Sequence, residues 1–456
     1  MICSCGHEDR AAIRARRRGA IAGVLAAALV LLSLAGPAWP KEPSRSLTVL
    51  HTNDLHARLL PDSHDRGGFA RLAGAIRRES ASADGVLVLD AGDLVQGTPV
   101  SSVFRGVPIY EVANLVGLHV STLGNHEFDY GWKTILEFRE AASFAIVSAN
   151  VVDAGDELLA DAPFVVRDVN GLRVAVVGLL TTDLPNLVLR SNIGPWRVEP
   201  VVETLRRIVP KILPQADLVV ALGHLTEDEE DAILAEVPEV AVVVSGHRHN
   251  GLAQPKRAGE RLLVRVRSGG RELGRLDLDV DPARKAVIAS RWRVVPIDAT
   301  TPESKEVAAR VAYWEAKVRD VADVNVGRSE RELSRREVED LVERVMIEHT
   351  GADLAYVASG EIRDVLPAGP LLARHVWSVM PFEDRVVVVE LKGSDLPDAL
   401  VEGRSIDRDR LYTVAVTDFT ASLGRELRSK APVRADPSPL LRDLIIAWIR
   451  EREVVE

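Results

Sequence analysis

Between Leu47 and Asp298 short aliphatic and β-branched runs alternate with stretches of helical spacing, and five of the runs share an ending. Leu47 to Leu50 leads to Asp54 and His56, Val86 to Leu89 to Asp93, and Ser121 to Leu123 to Asn125 and His126. Leu218 to Leu222 leads to His224, and Val240 to Val244 to His247 and His249. Short apolar runs bounded by turn residues read as strands buried on both faces. In α/β folds the loops beyond the carboxyl ends of such strands gather at one sheet edge and form the ligand site. The pattern therefore predicts that five separate segments converge. Arg173 to Leu180 and Leu262 to Val266 are followed by no such residue and read as scaffold strands.

Further along, Thr301 to Asp323 opens with Thr-Pro-Glu and carries Val307, Val311, Trp314 and Val318 at helical spacing, which predicts a linker helix. A second α/β unit follows, with a helix near Val338 to Glu348 and strands at Leu354 to Ala358, Val386 to Leu391 and Leu411 to Val416. The expected division is a first domain over 46–298, a linker over 299–325 and a second domain over 326–452.

Composition agrees with two layered domains. A chain of 456 residues, 46% apolar, can bury a large core, and with only 4% aromatic residues that core must be built from Val, Leu, Ala and Ile. Residues 1–38 are a separate object. Arg14, Arg16, Arg17 and Arg18 precede an apolar run from Ala20 to Leu34, and Gly36-Pro37-Ala38 offers small residues for cleavage. The run is shorter than the ~20 residues that a spanning helix needs, so the expectation is a cleaved signal peptide, with an uncleaved anchor as the competing reading, an exported, periplasmic or extracellular protein and no membrane span in the remainder. Cys3 and Cys5 both precede the apolar run, which leaves no disulfide in the mature chain. Loss of the leader removes five Arg and two acidic residues, taking the formal charge from −10 to −13. So acidic a surface argues against a nucleic acid polymer as partner.

Candidate chemistry sits at the five strand ends. His7, His51, His64, His119, His349 and His375 lack an Asp or Asn in that context and read as ordinary surface or core residues. Asp54-Leu55-His56 and His247-Arg248-His249 each place alternate side chains where both can face one ion. Gly92 exposes the Asp93 carboxylate, which can bridge two cations, and the Asn125 oxygen suits a borderline metal. Oxygen and imidazole donors without thiolate fit Zn, Mn, Fe or Co.

In order, Asp54-Leu55-His56, Gly92-Asp93, Gly124-Asn125-His126-Glu127, Gly223-His224 and Gly246-His247-Arg248-His249 resemble the motif series of the calcineurin-like metallophosphoesterases. Val49 to Asp54 and Gly124 to Gly131 (GNHEFDYG) are similar to the 5′-nucleotidase or UDP-sugar hydrolase branch. The resemblance implies a four-layer α-β-β-α catalytic domain followed by a smaller α/β substrate-binding domain. It implies one divalent ion on Asp54, His56, Asp93 and His249, and a second on Asp93, Asn125, His224 and His247. His126 matches the catalytic histidine and Asp129 the carboxylate that orients it. Two cations roughly 3.5–4 Å apart can lower the pKa of a shared water and neutralise charge growing on a phosphoryl group. The expected activity is hydrolysis of a small phosphoester, with a 5′-nucleotide as the leading substrate and UDP-sugars or cyclic nucleotides as alternatives.

Past the linker, Gly351-Ala352-Asp353, Ile362-Arg363, Met380-Pro381-Phe382 and Asp418-Phe419 follow the order of the family's C-terminal domain. By that resemblance Arg363 binds the anionic ligand, and Phe382 and Phe419 sandwich a base. Two segments depart from the family. Asn-Gly-Gly-Gly is replaced by Ala358-Ser359-Gly360-Glu361, whose acid would repel an anion, and Gly-Gly-Asp-Gly-aromatic by Leu423-Gly424-Arg425-Glu426-Leu427. The alternatives are a non-catalytic nucleotide-binding protein on the same fold and a SoxB-like hydrolase with a non-nucleotide ligand.

Overall fold

A computed structural model describes residue 1 and residues 44–455 other than 359, 424–426, 428–433 and 436–438. The leader, both cysteines, Ser359 and Gly424-Arg425-Glu426 lie outside the described residues.

Two six-stranded sheets build the first domain. The first runs, edge to edge, through Ala286–Pro296, Glu272–Asp281, Arg45–Thr52, Val86–Asp90, Val120–Thr122 and Ala145–Val147. The second runs through Lys256–Ala258, Arg261–Val264, Val242–Gly246, Leu218–His224, Leu172–Leu180 and Phe164–Val169. Neighbours from Arg45–Thr52 to Ala145–Val147 pair in parallel, as do those from Arg261–Val264 to Leu172–Leu180.

The period of two along each strand sorts its residues between two apolar layers. Leu47, Val49, Leu87 and Leu89 meet Val174, Val176, Val220 and Val244 between the sheets. From the second sheet, Ala175, Val177, Val219 and Val243 face outward onto helices Val201–Ile212 and Glu227–Glu236. Leu50 and Val88 of the first sheet join helices Phe69–Ser80 and Val107–Val116 on its outer face. The result is helix, sheet, sheet, helix. At Gly178 a Cβ would lie 2.0 Å from the Val147 carbonyl of the other sheet, so the close approach admits no side chain there.

Five strands of these two sheets are additional to those expected from apolar runs: Ala145–Val147, Phe164–Val169, Lys256–Ala258 and the two of a hairpin. The antiparallel hairpin Glu272–Asp281 with Ala286–Pro296 extends the first sheet. In its first strand Arg275, Asp277 and Asp279 alternate with Leu276, Leu278 and Val280, so no unbroken apolar run marks it.

Helix Lys305–Ala322 starts at Ser304, whose hydroxyl accepts from the Val307 amide. Its buried face, Val307, Val311, Val318 and Ala322, shares one apolar cluster with helices Phe69–Ser80 and Val107–Val116, so it is seated on the first domain. The second domain combines a four-stranded sheet, Leu354–Ala355, Leu411–Thr417, Val386–Lys392 and Arg434–Ala435, with helices Arg335–Thr350 and Leu441–Arg452. The strand expected over Leu354 to Ala358 ends at Ala355, because past Tyr356 the chain leaves the Leu411–Thr417 partner and the Val357 amide turns to the Glu343 carboxylate.

Candidate metal centre

The parallel strands end at one edge: Thr52 and Asp90 in the first sheet, His224 and Gly246 in the second. Directly after them the backbone turns through left-handed conformations at non-glycine residues: Asp54 (φ 52°), His56 (47°), Asp93 (57°), His247 (78°) and His249 (57°). Such residues store strain of about 1 kcal/mol or more each, which the surroundings must offset. Cross-loop bonds do so here. The Asp54 amide donates to Gly92 O (3.0 Å), the His56 amide to Asp93 O (2.9 Å), the Gly269 amide to Asp54 O (2.7 Å) and the His247 amide to the Asp54 carboxylate (3.0 Å). A Cβ at Gly124 would stand 2.2 Å from Asp93 Oδ1, so only glycine lets the Asn125 loop close on Asp93.

Asp54, His56, Asp93 and His249 each present a ligand atom within 4.8 Å of the others. His249 Nε2 is 3.4 Å from Asp54 Oδ1 and 2.9 Å from His56 Nε2. On the other side of Asp93, its Oδ2 is 3.1 Å from His224 Nε2, which lies 3.2 Å from Asn125 Oδ1. The His247 ring stands 5.0 Å from the His224 ring. All seven candidate ligands are therefore brought to one place, with Asp93 common to both groups.

Electrostatics sort these groups. Burial, then the Arg363 guanidinium, hold the His56 imidazolium well below its usual range, and burial with His224 brings His247 down to about 4. For His224 burial opposes the charge, but Asp93 and Asp54 outweigh it and lift the imidazole to about 10. Despite burial, His224 and His126 hold Asp93 well below the carboxylate range. His224 Nδ1 donates to Ala91 O (2.8 Å), which aims Nε2 into the cluster, the usual arrangement behind a ligating histidine. Two buried carboxylates, four imidazoles and an amide oxygen, with no thiolate, form a donor set that suits divalent first-row ions, and the residues fit such a group.

His126 lies at the rim of the cluster. Its amide donates to Asp93 Oδ1 (2.9 Å), its Nδ1 pairs with Asp129 Oδ2 (2.7 Å), and its Nε2 stands 4.0 Å from Asp93 Oδ2. Burial works against the imidazolium, but Asp129 and Asp93 prevail and raise its pKa. Two amides steady Asp129: Gln96 Nε2 donates to Oδ2 (2.9 Å) and Asn192 Nδ2 to the carbonyl (2.9 Å). Sequence reasoning missed both, since scattered neutral amides carry no pattern. The left-handed turn at Gln96 (φ 72°), just before Gly97, is visible only in the fold.

Comparison with known proteins matches this architecture twice. Residues 47–251 match the family model described as calcineurin-like phosphoesterase, and residues 315–405 that described as 5′-nucleotidase, C-terminal domain. The chain belongs to the 5′-nucleotidase family of calcineurin-like phosphoesterases. It is 24% identical to Protein UshA of Yersinia enterocolitica, over 85% of this chain and 82% of that one. It is 28% identical to the 5′-nucleotidase of Homo sapiens, over 82% and 74%. The solved 5′-nucleotidase precursor of Thermus thermophilus superposes with a TM-score of 0.82 at 24% identity, covering 90% of this chain and 97% of that one. As a family member the chain is a metal-dependent phosphoric ester hydrolase.

The C-terminal domain of this phosphoesterase reaches the same place. Arg363 Nη2 donates to His56 Nε2 (3.1 Å), and its guanidinium lies 5.9 Å from the Phe382 ring. Phe382 in turn stacks near His126, 5.9 Å between centroids. Across the cleft Arg58 Nη1 bonds Asp364 Oδ2 (2.7 Å), a pair 306 positions apart that the motifs do not announce. Phe419 is half-buried on helix Asp418–Leu423, with no ring contact to Phe382 among the described residues. Glu361 does not stand in an anion's path. It is 4% exposed, and its Oε1 accepts from the Thr420 hydroxyl (2.6 Å) and the Ala358 amide (3.3 Å). It ties the Arg363 loop to the Phe419 helix.

Proposed function

We propose that this phosphoesterase is an exported hydrolase of small phosphoesters, with a 5′-nucleotide as leading substrate and two divalent cations as cofactor. The observation that carries the reading is the shared Asp93 carboxylate. Asp54, His56 and His249 stand on one side of it and Asn125, His224 and His247 on the other, with His126 and Arg363 at the rim. Asp54, His56, Asp93 and His249 would hold one ion, and Asp93, Asn125, His224 and His247 the second. Divalent ions in such a set supply neutralisation of phosphoryl oxygens and activation of water.

The chain's own groups do the rest. His126, held at Nδ1 by Asp129 and with its pKa raised by the nearby carboxylates, presents Nε2 to a phosphoryl or leaving oxygen and, when protonated, can donate to it. Arg363 offers a planar fork of donors suited to phosphate. Phe382, and Phe419 on helix Asp418–Leu423, would supply flat apolar faces for a planar leaving group. Because Arg363 and Phe382 belong to the second domain and His126 to the first, substrate is gripped only when both domains meet over it. The human relative's name, 5′-nucleotidase, supports the nucleotide assignment. Export rests on the arginine-flanked apolar leader, and no helix among the described residues is long and apolar enough to cross a membrane.

The test is phosphate release by the purified protein from nucleoside monophosphates, cyclic nucleotides and UDP-glucose, with and without added Mn or Zn. Metal-dependent release from nucleoside monophosphates is expected. Tight nucleotide binding with no release from any of them would overturn the reading in favour of a binding protein.

A further inference from the structure

Of the GNHEFDYG segment, Glu127 has no part in the chemistry above. It is wholly buried, and its carboxylate is bonded to two loops at once. Oε2 accepts from the Asp93 amide (3.1 Å) and the Gly124 amide (2.6 Å), and Oε1 accepts from the Leu94 amide (2.9 Å) and, at 3.5 Å, from the Tyr110 hydroxyl. One side chain thus joins the loop that carries Asp93 to the loop that carries Asn125 and His126. A second buried carboxylate beside Asp93 is electrostatically unfavourable. An acid in that position is explained by its capacity to accept from several amides at once, which no neutral side chain of that size matches.

The other side of the centre is fastened differently. Asp54 and His56 are held by their amides on Gly92 O and Asp93 O, and the His247 amide is held by the Asp54 carboxylate. Of these only the His56 bond ends on a residue whose amide Glu127 holds, while the Asp54–Gly92 and His247–Asp54 bonds are made without it. We propose that Glu127 is a positioning residue for one half of the centre. It fixes Asn125 against Asp93, so its loss empties the Asn125–His224–His247 half and spares the Asp54–His56–His249 half. This rests on the two-ion reading above.

The experiment compares wild type with Glu127→Ala and Glu127→Asp, each loaded with Mn, desalted and assayed for Mn per chain, melting temperature and hydrolysis of p-nitrophenyl phosphate. Aspartate keeps the charge but is one methylene too short to span both loops, so it reports on reach should the alanine chain fail to fold. Wild type should retain two ions and the variants one. In the variants kcat should fall roughly 10- to 100-fold with KM little changed, as for losses behind a ligating shell, and excess Mn should restore part of it. A variant that keeps two ions, or loses both, overturns the proposal while leaving the two-ion reading intact. A wild type that takes up a single ion overturns both.

Discussion

On the first domain's side of the cleft, Asp54, Asp93 and His224 are essentially inaccessible, and each is held by bonds to backbone groups of a neighbouring loop. On the second domain's side, Arg363, Phe382 and Phe419 are half-buried and stand on loops or helix ends, with Arg363 steadied by Arg335 on its carbonyl (2.6 Å). The ligand cluster is an obligate product of where the parallel strands end. The substrate face hangs on a few loop residues, and its motif departs from the family at Ala358 to Glu361 and after Leu423. On the proposed reading chemistry is fixed by the sheets and substrate choice by the loops, so substitutions on the two sides should have different kinetic signatures.

The sharpest contrast comes from Asp93→Ala. With the shared carboxylate gone both ion positions lose a ligand, and charge neutralisation worth several kcal/mol disappears. The loss in kcat should be roughly 10⁴-fold or more, with metal content falling alongside it in the same preparation. His126→Ala should lower kcat about 10²- to 10³-fold at unchanged metal content, because the side chain touches the cluster only at its rim. Equal metal loss in both variants would erase the distinction between ligand and acid. On the opposite face, Arg363→Ala should act mainly on KM, roughly 10-fold or more for a lost charge-assisted hydrogen bond. A change confined to kcat would show that Arg363 belongs functionally with the metal side.

How much of this contrast was legible follows from residue type. Asp, Asn and His after apolar runs are rare enough in combination that five strand ends announced themselves, and the structure brings all seven candidate ligands together. Gln96 stayed silent, and Glu127, though part of the GNHE motif, was given no role, since one acts through a side-chain amide and the other through backbone amides, and neither interaction has a sequence pattern. Glu361 was misread as a free charge because its partner, Thr420, is 59 positions away. The hairpin Glu272–Asp281 with Ala286–Pro296 was hidden by its alternating charges. Local periodicity reports which face a residue takes, and long-range partners report what it does there.

Proton linkage probes the metal side alone. In the ion-free chain His224 is lifted to about 10, above the ordinary 6.5, by Asp93 and Asp54 against the opposing burial. Its raised pKa contributes stability that is complete below about 6.5 and is lost as pH rises through about 10. His247, lowered to about 4, works the other way and costs stability as pH falls below 6.5. The chelated chain should therefore melt at lower temperature toward pH 9 than near neutrality, and the Mn-loaded chain should not. Ion binding must expel the His224 proton, so Mn affinity should rise about tenfold per pH unit between 7 and 9. Titration calorimetry in buffers of different ionisation enthalpy measures that proton directly. A pH-independent affinity would place His224 outside the ligand set.

The smallest effect is expected where the two sides touch. Arg58 and Asp364 are 15% and 20% exposed, pair at 2.7 Å across the cleft, and flank the Arg363 that reaches His56. An ion pair with that much water contact contributes about 0.2–1 kcal/mol and is screened by salt. Arg58→Ala should therefore raise KM by at most about fivefold, leave kcat and metal content unchanged, and weaken, without removing, the salt dependence that KM shows in wild type. Asp364→Ala should do the same, and the double variant should be no worse than either single one, because each removes the same contact. A large kcat loss from either would mean that the pair aligns the metal side as well, and the division between fixed chemistry and adjustable grip would fail at that contact.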